Sequence, residues 1–325
     1  MYRNLTPIST YRSARLALIR PSDLRARTEG NDSLRPLPEA ELVLDAGAEV
    51  AEGPVWDADS GCLIWVDIDR EAVHFFDPAT GEDSVIPVGQ SVGAVAARRS
   101  GGYVLALADG FGAVSVGGET TILAAVEDEV PENRMNDGKC DPGGRFFAGT
   151  TRRDFSGPEG TLYRLDPDLS VRTVLTDVWI SNGMGWSPDG SRMYFIDSLA
   201  HRVDVFDYEV TTGAPTNRRT LVQVPAAEGN PDGMTVDAAG NLWVAFWGGW
   251  AARCFSPDGK LLAELPLPVA NVTSCAFGGP DMADLYVTTA SLGLTGEERE
   301  AQSHAGGLFR ISPPTGGLPP HDFAG

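Results

Sequence analysis

Short apolar runs alternate with polar positions along most of this chain, and the same arrangement returns again and again. Six stretches share one layout: a short strand, a Gly-containing turn and a second β-rich strand. They read "EGPVWDADSGCLIWVD" from Glu52, "VGAVAARRSGGYVLALAD" from Val92, "NDGKCDPGGRFFAGT" from Asn136, "NGMGWSPDGSRMYFIDS" from Asn182, "DGMTVDAAGNLWVAFWG" from Asp232 and "SCAFGGPDMADLYVTTA" from Ser274. Turn signals such as "SPDG" and "DAAG" between alternating apolar runs predict hairpins.

A third element follows each pair, for example "VHFFDPATG", "TLYRLDPDLS" and "GLFRISPPTGG". It ends in a turn that leads to another short apolar run, such as "SVIPV" or "LLAELPLP". Four strands per unit, six units and no convincing amphipathic helix predict an all-β fold, a six-bladed β-propeller in one domain.

Such a ring has to close, because an open end leaves unpaired strand edges. After "GLFRIS" the chain offers little for a fourth strand, and it finishes in the Pro/Gly-rich "PPTGGLPPHDFAG". "ELVLDAG" (Glu41 to Gly47) precedes the first unit and has strand character, so it is expected to supply the outer strand of the last blade. The expected organisation is an N-terminal extension over 1–38, a propeller over 39–315 and a C-terminal tail over 316–325.

Composition narrows the partners. The formal charge is −20, which disfavours nucleic acid and anionic membrane surfaces. No apolar run approaches the length needed to span a bilayer. The first 38 residues differ from the rest, with seven arginines up to Arg35 against Asp23, Glu29 and Asp32. A disordered tail or an over-long translation start accounts for this segment better than a transit peptide does, and "LALI" is too short for a secretory signal. Cys62, Cys140, Cys254 and Cys275 show no CxxC spacing and read as reduced thiols of a cytoplasmic protein. The pattern specifies no oligomeric state.

Aligning the units by their first strand places Glu52, Val92, Asp137, Asn182, Asp232 and Ser274 at one repeat position. In a propeller, equivalent positions on innermost strands converge on the axis. Bringing Glu52, Asp137 and Asp232 together without a cation is unfavourable through repulsion and desolvation, and a bound cation resolves the conflict. Each acid-Gly or Asn-Gly pair taken singly is an ordinary turn dipeptide, but recurrence of oxygen donors at one position points to a hard metal site. Ca²⁺, Mg²⁺, Mn²⁺ or Zn²⁺ would suit it. His74, His201, His304 and His321 are too scattered for a three-His zinc site. There is no GxSxG elbow, P-loop or GxGxxG after a strand. The seven tryptophans fall mostly in repeat strands and read as core.

The motifs "EGPVWD", "RMNDGKCDPGGRFFAGT", "SNGMGWSPDG…MYFIDS" and "NPDGMTVDAAGNLWVA", in that order, resemble the senescence marker protein/gluconolactonase/luciferin-regenerating enzyme family, which includes regucalcin. The resemblance runs from about Glu41 to Ser312. It implies a divalent metal in the central channel and hydrolysis of small sugar lactones such as gluconolactone or a pentonolactone. By motif the metal ligands fall on Glu52, Asn182 and Asp232, with Asp232 also the expected general base. Arg134, Asn136 and Asp137 are assigned to the substrate. The segment "TRRDFSGPEG" puts Arg152, Arg153 and Asp154 where some relatives carry acidic residues. Two other readings stay open: a calcium-binding regulatory protein of the regucalcin type, and an esterase or organophosphate hydrolase on the same scaffold.

Overall fold

In the computed structural model, which describes residues 34–325, the chain forms six four-stranded antiparallel sheets. Five of them are built from consecutive strands. Their innermost strands are Ala51–Asp57, Val92–Ala97, Asn133–Cys140, Ser181–Trp186 and Asn230–Val236, and that of the sixth sheet is Val272–Gly278. The protein is therefore a six-bladed β-propeller. Burial follows position in the blade: every residue of Ser181–Trp186 is buried, whereas the outermost strand Glu82–Pro87 is largely exposed. Large apolar side chains fill the wedges between neighbouring sheets, among them Trp65, Phe147, Phe195 and Phe246, all fully buried.

Aspartates set the hairpins. Asp57 accepts the N–H of Asp59 at 3.1 Å, Asp77 that of Ala79 at 2.8 Å and Asp237 that of Ala239 at 2.9 Å, each a local turn that the short carboxylate builds on its own backbone.

The sixth sheet joins both ends of the described chain. Glu41–Leu44 pairs antiparallel with Leu308–Ile311, and Glu41 also holds Arg310 at 2.9 Å. A five-residue helix, Glu297–Ala301, lies in the long connection between the second and third strands of this blade.

The two end segments engage the propeller more than their composition suggests. Most of the Arg-rich extension lies outside the described residues. Its last part does not hang free: the N–H of Arg35 donates to the Leu262 carbonyl at 2.8 Å, and Leu37 packs on the core between blades five, six and one. The tail runs from blade six past blade five, where Gly317 bridges Asp237, to blades two and three. There Phe323 is fully buried, its N–H donates to Ala97 and its carbonyl accepts from Arg99, each at 2.9 Å.

Candidate metal and substrate site

Each of the six innermost strands carries a β-bulge near its start. Pairing with the second strand shifts between Glu52 and Val55, Val92 and Ala94, Met135 and Gly138, Ser181 and Met184, Pro231 and Met234, and Val272 and Ser274. A bulge frees one residue from the ladder and re-aims its side chain, so repeating it in every blade turns one position per blade towards a common site.

The register corrects the repeat alignment in blades two, three and six. Asn182 and Asp232 directly follow the last paired residues before their bulges, Ser181 and Pro231, whereas Glu52 is itself the last paired residue, opposite Val66, at the edge of its bulge. The residue in the place of Asn182 and Asp232 in blade three is Asn136, which follows Met135, and not Asp137; in blade six it is Thr273, not Ser274, and in blade two Gly93, not Val92. Asp137 occupies the place of Gly183 and Gly233. A gapless alignment of acid-Gly pairs cannot detect this, because Asp137-Gly138 imitates the dipeptide one position late.

Glycine follows the ring residue in blades four and five because adjacent blades nearly touch there, whereas Gly53 in blade one is required by its positive φ of 51°. A Cβ on Gly183 would stand 2.5 Å from the carbonyl oxygen of Asp232, and one on Gly233 would collide with Ser274. Gly93 in blade two likewise abuts the backbone oxygen of Asn136.

The bulges bring Glu52, Asn182 and Asp232 together, all buried. Burial, followed by the charges of Asp232 and Asp137, pushes the Glu52 carboxyl well above its ordinary range. Burial and Asp137 do the same to Asp232, against the hydrogen bond from Asn182 and the charge of Arg134. Asp137 is raised by burial and partly relieved by Lys139 and by the Gly138 N–H at 2.6 Å.

Asn182 Nδ2 donates to Asp232 Oδ1 and, at 3.0 Å, to Ser198 Oγ, leaving its buried Oδ1 without a hydrogen-bond partner. Two buried carboxylates and an unpartnered amide oxygen form a hard donor set that fits a divalent cation. Among the described residues no three His, Cys, Asp or Glu side chains group as a ligand set, so the amide is needed to complete it.

Arg134 and Asn136 lie beside this set and are tied to each other. Arg134 Nη1 donates to Asn136 Oδ1 at 2.8 Å and to the Met135 carbonyl at 2.9 Å, while Asn136 Nδ2 donates to the Ser181 carbonyl at 2.9 Å. Arg152 is turned to Asp154, 2.9 Å away. A cavity of about 270 Å³ opens below the ring, with Asp137 and Lys139 in its wall, Trp56, Trp186 and Phe277 around it, and Pro320 and His321 of the tail at its far end.

Two supporting contacts escape sequence reasoning, one to the ring itself and one at the start of the third blade. Ser198 sits in the quoted "MYFIDS", yet its contact with Asn182 depends on the bulge. Glu127, in a loop before blade three, accepts from Asn133, Thr150 and Tyr163 at 2.8, 3.1 and 2.8 Å, and no motif marks it.

A profile of the SMP-30/Gluconolactonase/LRE-like region matches residues 50–291. Regucalcin of Xenopus laevis is 41% identical over 296 residues, covering 88% of this chain and 98% of that protein. Human regucalcin is 40% identical over 296 residues with the same coverage of each. Among solved structures, a luciferin-regenerating enzyme superposes with TM-score 0.82 at 32% identity, over 88% of this chain and 99% of its own. A calcium-binding protein of Agrobacterium tumefaciens, also called regucalcin, gives TM-score 0.86 at 27% identity, over 90% and 99%. A gluconolactonase of Xanthomonas campestris, at 21% identity and TM-score 0.68 over 86% and 99%, shares the fold.

Proposed function

Because this chain belongs to the SMP-30/gluconolactonase/LRE-like family, we propose that it is a metal-dependent hydrolase that opens sugar lactones to the sugar acid. The observation that carries the reading is the buried, unpartnered Oδ1 of Asn182 beside the Glu52 and Asp232 carboxylates, whose mutual repulsion a divalent cation would relieve. Bound by these three residues, the cation supplies Lewis-acid polarisation of the lactone carbonyl.

The chain's own residues do the rest. Asp232 takes a proton from water as the water oxygen bonds to the carbonyl carbon. The ring C–O bond then breaks, and the same proton passes to the leaving oxygen, so the product is a hydroxy acid and Asp232 is regenerated. Arg134, oriented by its hydrogen bond to Asn136, is the donor assigned to substrate hydroxyls, and Asn136 is locked across blades by Ser181. Asp137 forms the underside of the site, where Lys139 offsets its charge.

Hydrolysis of a panel of aldonolactones, followed by pH-stat with and without chelator, tests this. Turnover of at least one lactone that chelator abolishes is expected. Cation binding with no lactone turnover favours the regulatory reading, which the regucalcin names of the relatives suggest. Faster cleavage of simple esters or organophosphates than of every lactone would replace the substrate class.

A further inference from the structure

An asparagine can hold a cation only through its oxygen, yet its amide can turn over at little cost, so something has to decide which end faces the ion. We propose that Ser198 makes this decision for Asn182 and is a positioning residue of the cation site. The inference rests on the proposed metal site and deepens it.

Ser198 is 3% exposed and opens a single 3₁₀ turn, Ser198–Ala200, directly after the second strand of blade four. Its backbone is tied on both sides of the turn. Its N–H donates to the Ile180 carbonyl at 3.2 Å, and its own carbonyl accepts from His201 at 3.0 Å. His201 closes the turn in the left-handed region with φ 52°. The preceding Asp197 accepts the N–H groups of Trp179 and Ile180, each at 3.2 Å, and so docks the turn onto the start of the strand that carries Asn182.

Held in this way, Ser198 Oγ stands 3.0 Å from Asn182 Nδ2 and accepts one of its two hydrogens, while Asp232 Oδ1 accepts the other. Both donors of the amide are then used, and Oδ1 remains as the group without a partner. Asp232 is itself an assigned ligand whose oxygens the cation would claim, so Ser198 is the one acceptor of the two that does not depend on the cation. Without it the amide could place its N–H₂ where the cation needs an oxygen.

The test is cation binding measured by calorimetry with Ca²⁺ and Mn²⁺ and no lactone present. Ser198→Ala is expected to bind about tenfold more weakly. In an Asn182→Asp background the same Ser198→Ala change should cost little, because a carboxylate offers oxygen on both sides and needs no orienting partner. Ser198→Cys, nearly isosteric with a weak acceptor, should fall between, and it serves if the alanine variant does not fold. Parent-like affinity in Ser198→Ala, or an equal loss in both backgrounds, overturns the proposal. A protein that shows this dependence on Ser198 but hydrolyses no lactone overturns the reaction alone. A parent that takes up neither cation overturns both.

Discussion

Lys139 reaches from blade three to blade five, and its Nζ donates a 2.6 Å hydrogen bond to the carbonyl oxygen of Met234, two residues past Asp232. Burial depresses the ammonium pKa, while Asp137, Cys275 and Glu52 act against that. Lys139 thus offsets the acidic ring from below and props the strand that carries Asp232. Lys139→Met is expected to tighten divalent-cation binding severalfold by removing a like charge. It should also lower the melting temperature of the chelated protein, since leaving Met234 without its donor costs about 1–3 kcal/mol. Titration calorimetry and thermal denaturation with chelator check the two effects, and weaker cation binding would sink the electrostatic part.

Asp232→Asn removes the proposed base and leaves an amide that can still offer oxygen to a cation. Lactone turnover should fall by about 10²–10⁴-fold under saturating metal. Full metal-dependent rates in this variant would show that another group takes the proton.

Gly93 has no room for a side chain, because its Cβ would meet the backbone of Asn136, which cannot yield without moving the substrate side of the ring. Gly93→Ala is expected to destabilise the protein by about 1–3 kcal/mol and weaken substrate binding. Gly117→Ala, whose new methyl would meet only Ser115 Oγ at 3.6 Å, should leave stability within about 0.5 kcal/mol. Denaturant melts of the two variants and the KM of the first make the comparison.

Phe323 fills the wedge between blades two and three, fully buried in one cluster with Phe111, Phe146 and Leu165. Phe323→Ala should cost about 3–5 kcal/mol. If the tail seals the lower cavity, the same change exposes Cys140, a buried thiol in the cavity wall whose pKa burial holds well above normal. Maleimide labelling in a Cys62→Ser background, which removes the half-buried thiol, should accelerate at least tenfold. Unchanged labelling in the folded variant would mean that the tail is not the seal.

His321, in that same tail, has its pKa lowered by burial, with Asp141 and Asp322 opposing and Arg99 assisting. A histidine depressed in the fold binds its proton more readily when unfolded, where it titrates near about 6.5. Its stabilising contribution is therefore present above that value and lost as pH falls from there through the lower folded-state pKa. His321→Gln should flatten the loss of melting temperature between pH 7 and 5. Parallel curves for parent and variant would remove His321 from the explanation.

The six-fold repeat, the strand positions and the acid-Gly and Asn-Gly dipeptides were legible in the chain because each blade is a local unit whose turn residues and period-2 patterning are written contiguously. Glu52, Asn182 and Asp232 could be picked out for the same reason, as recurrent deviations from an otherwise apolar strand. Tertiary structure alone decided which residue of blade three joins them. A bulge is a relation between two strands, and only the pairing of Met135 with Thr150 and of Gly138 with Ala148 shows that Asn136, not Asp137, follows the last paired residue. The partners of the ring were invisible for a kindred reason. Ser198 meets Asn182 across 16 positions and Lys139 meets Met234 across 95, so no local pattern encodes either contact. The tail reads as a structureless Pro/Gly segment until the propeller supplies the surface that buries Phe323.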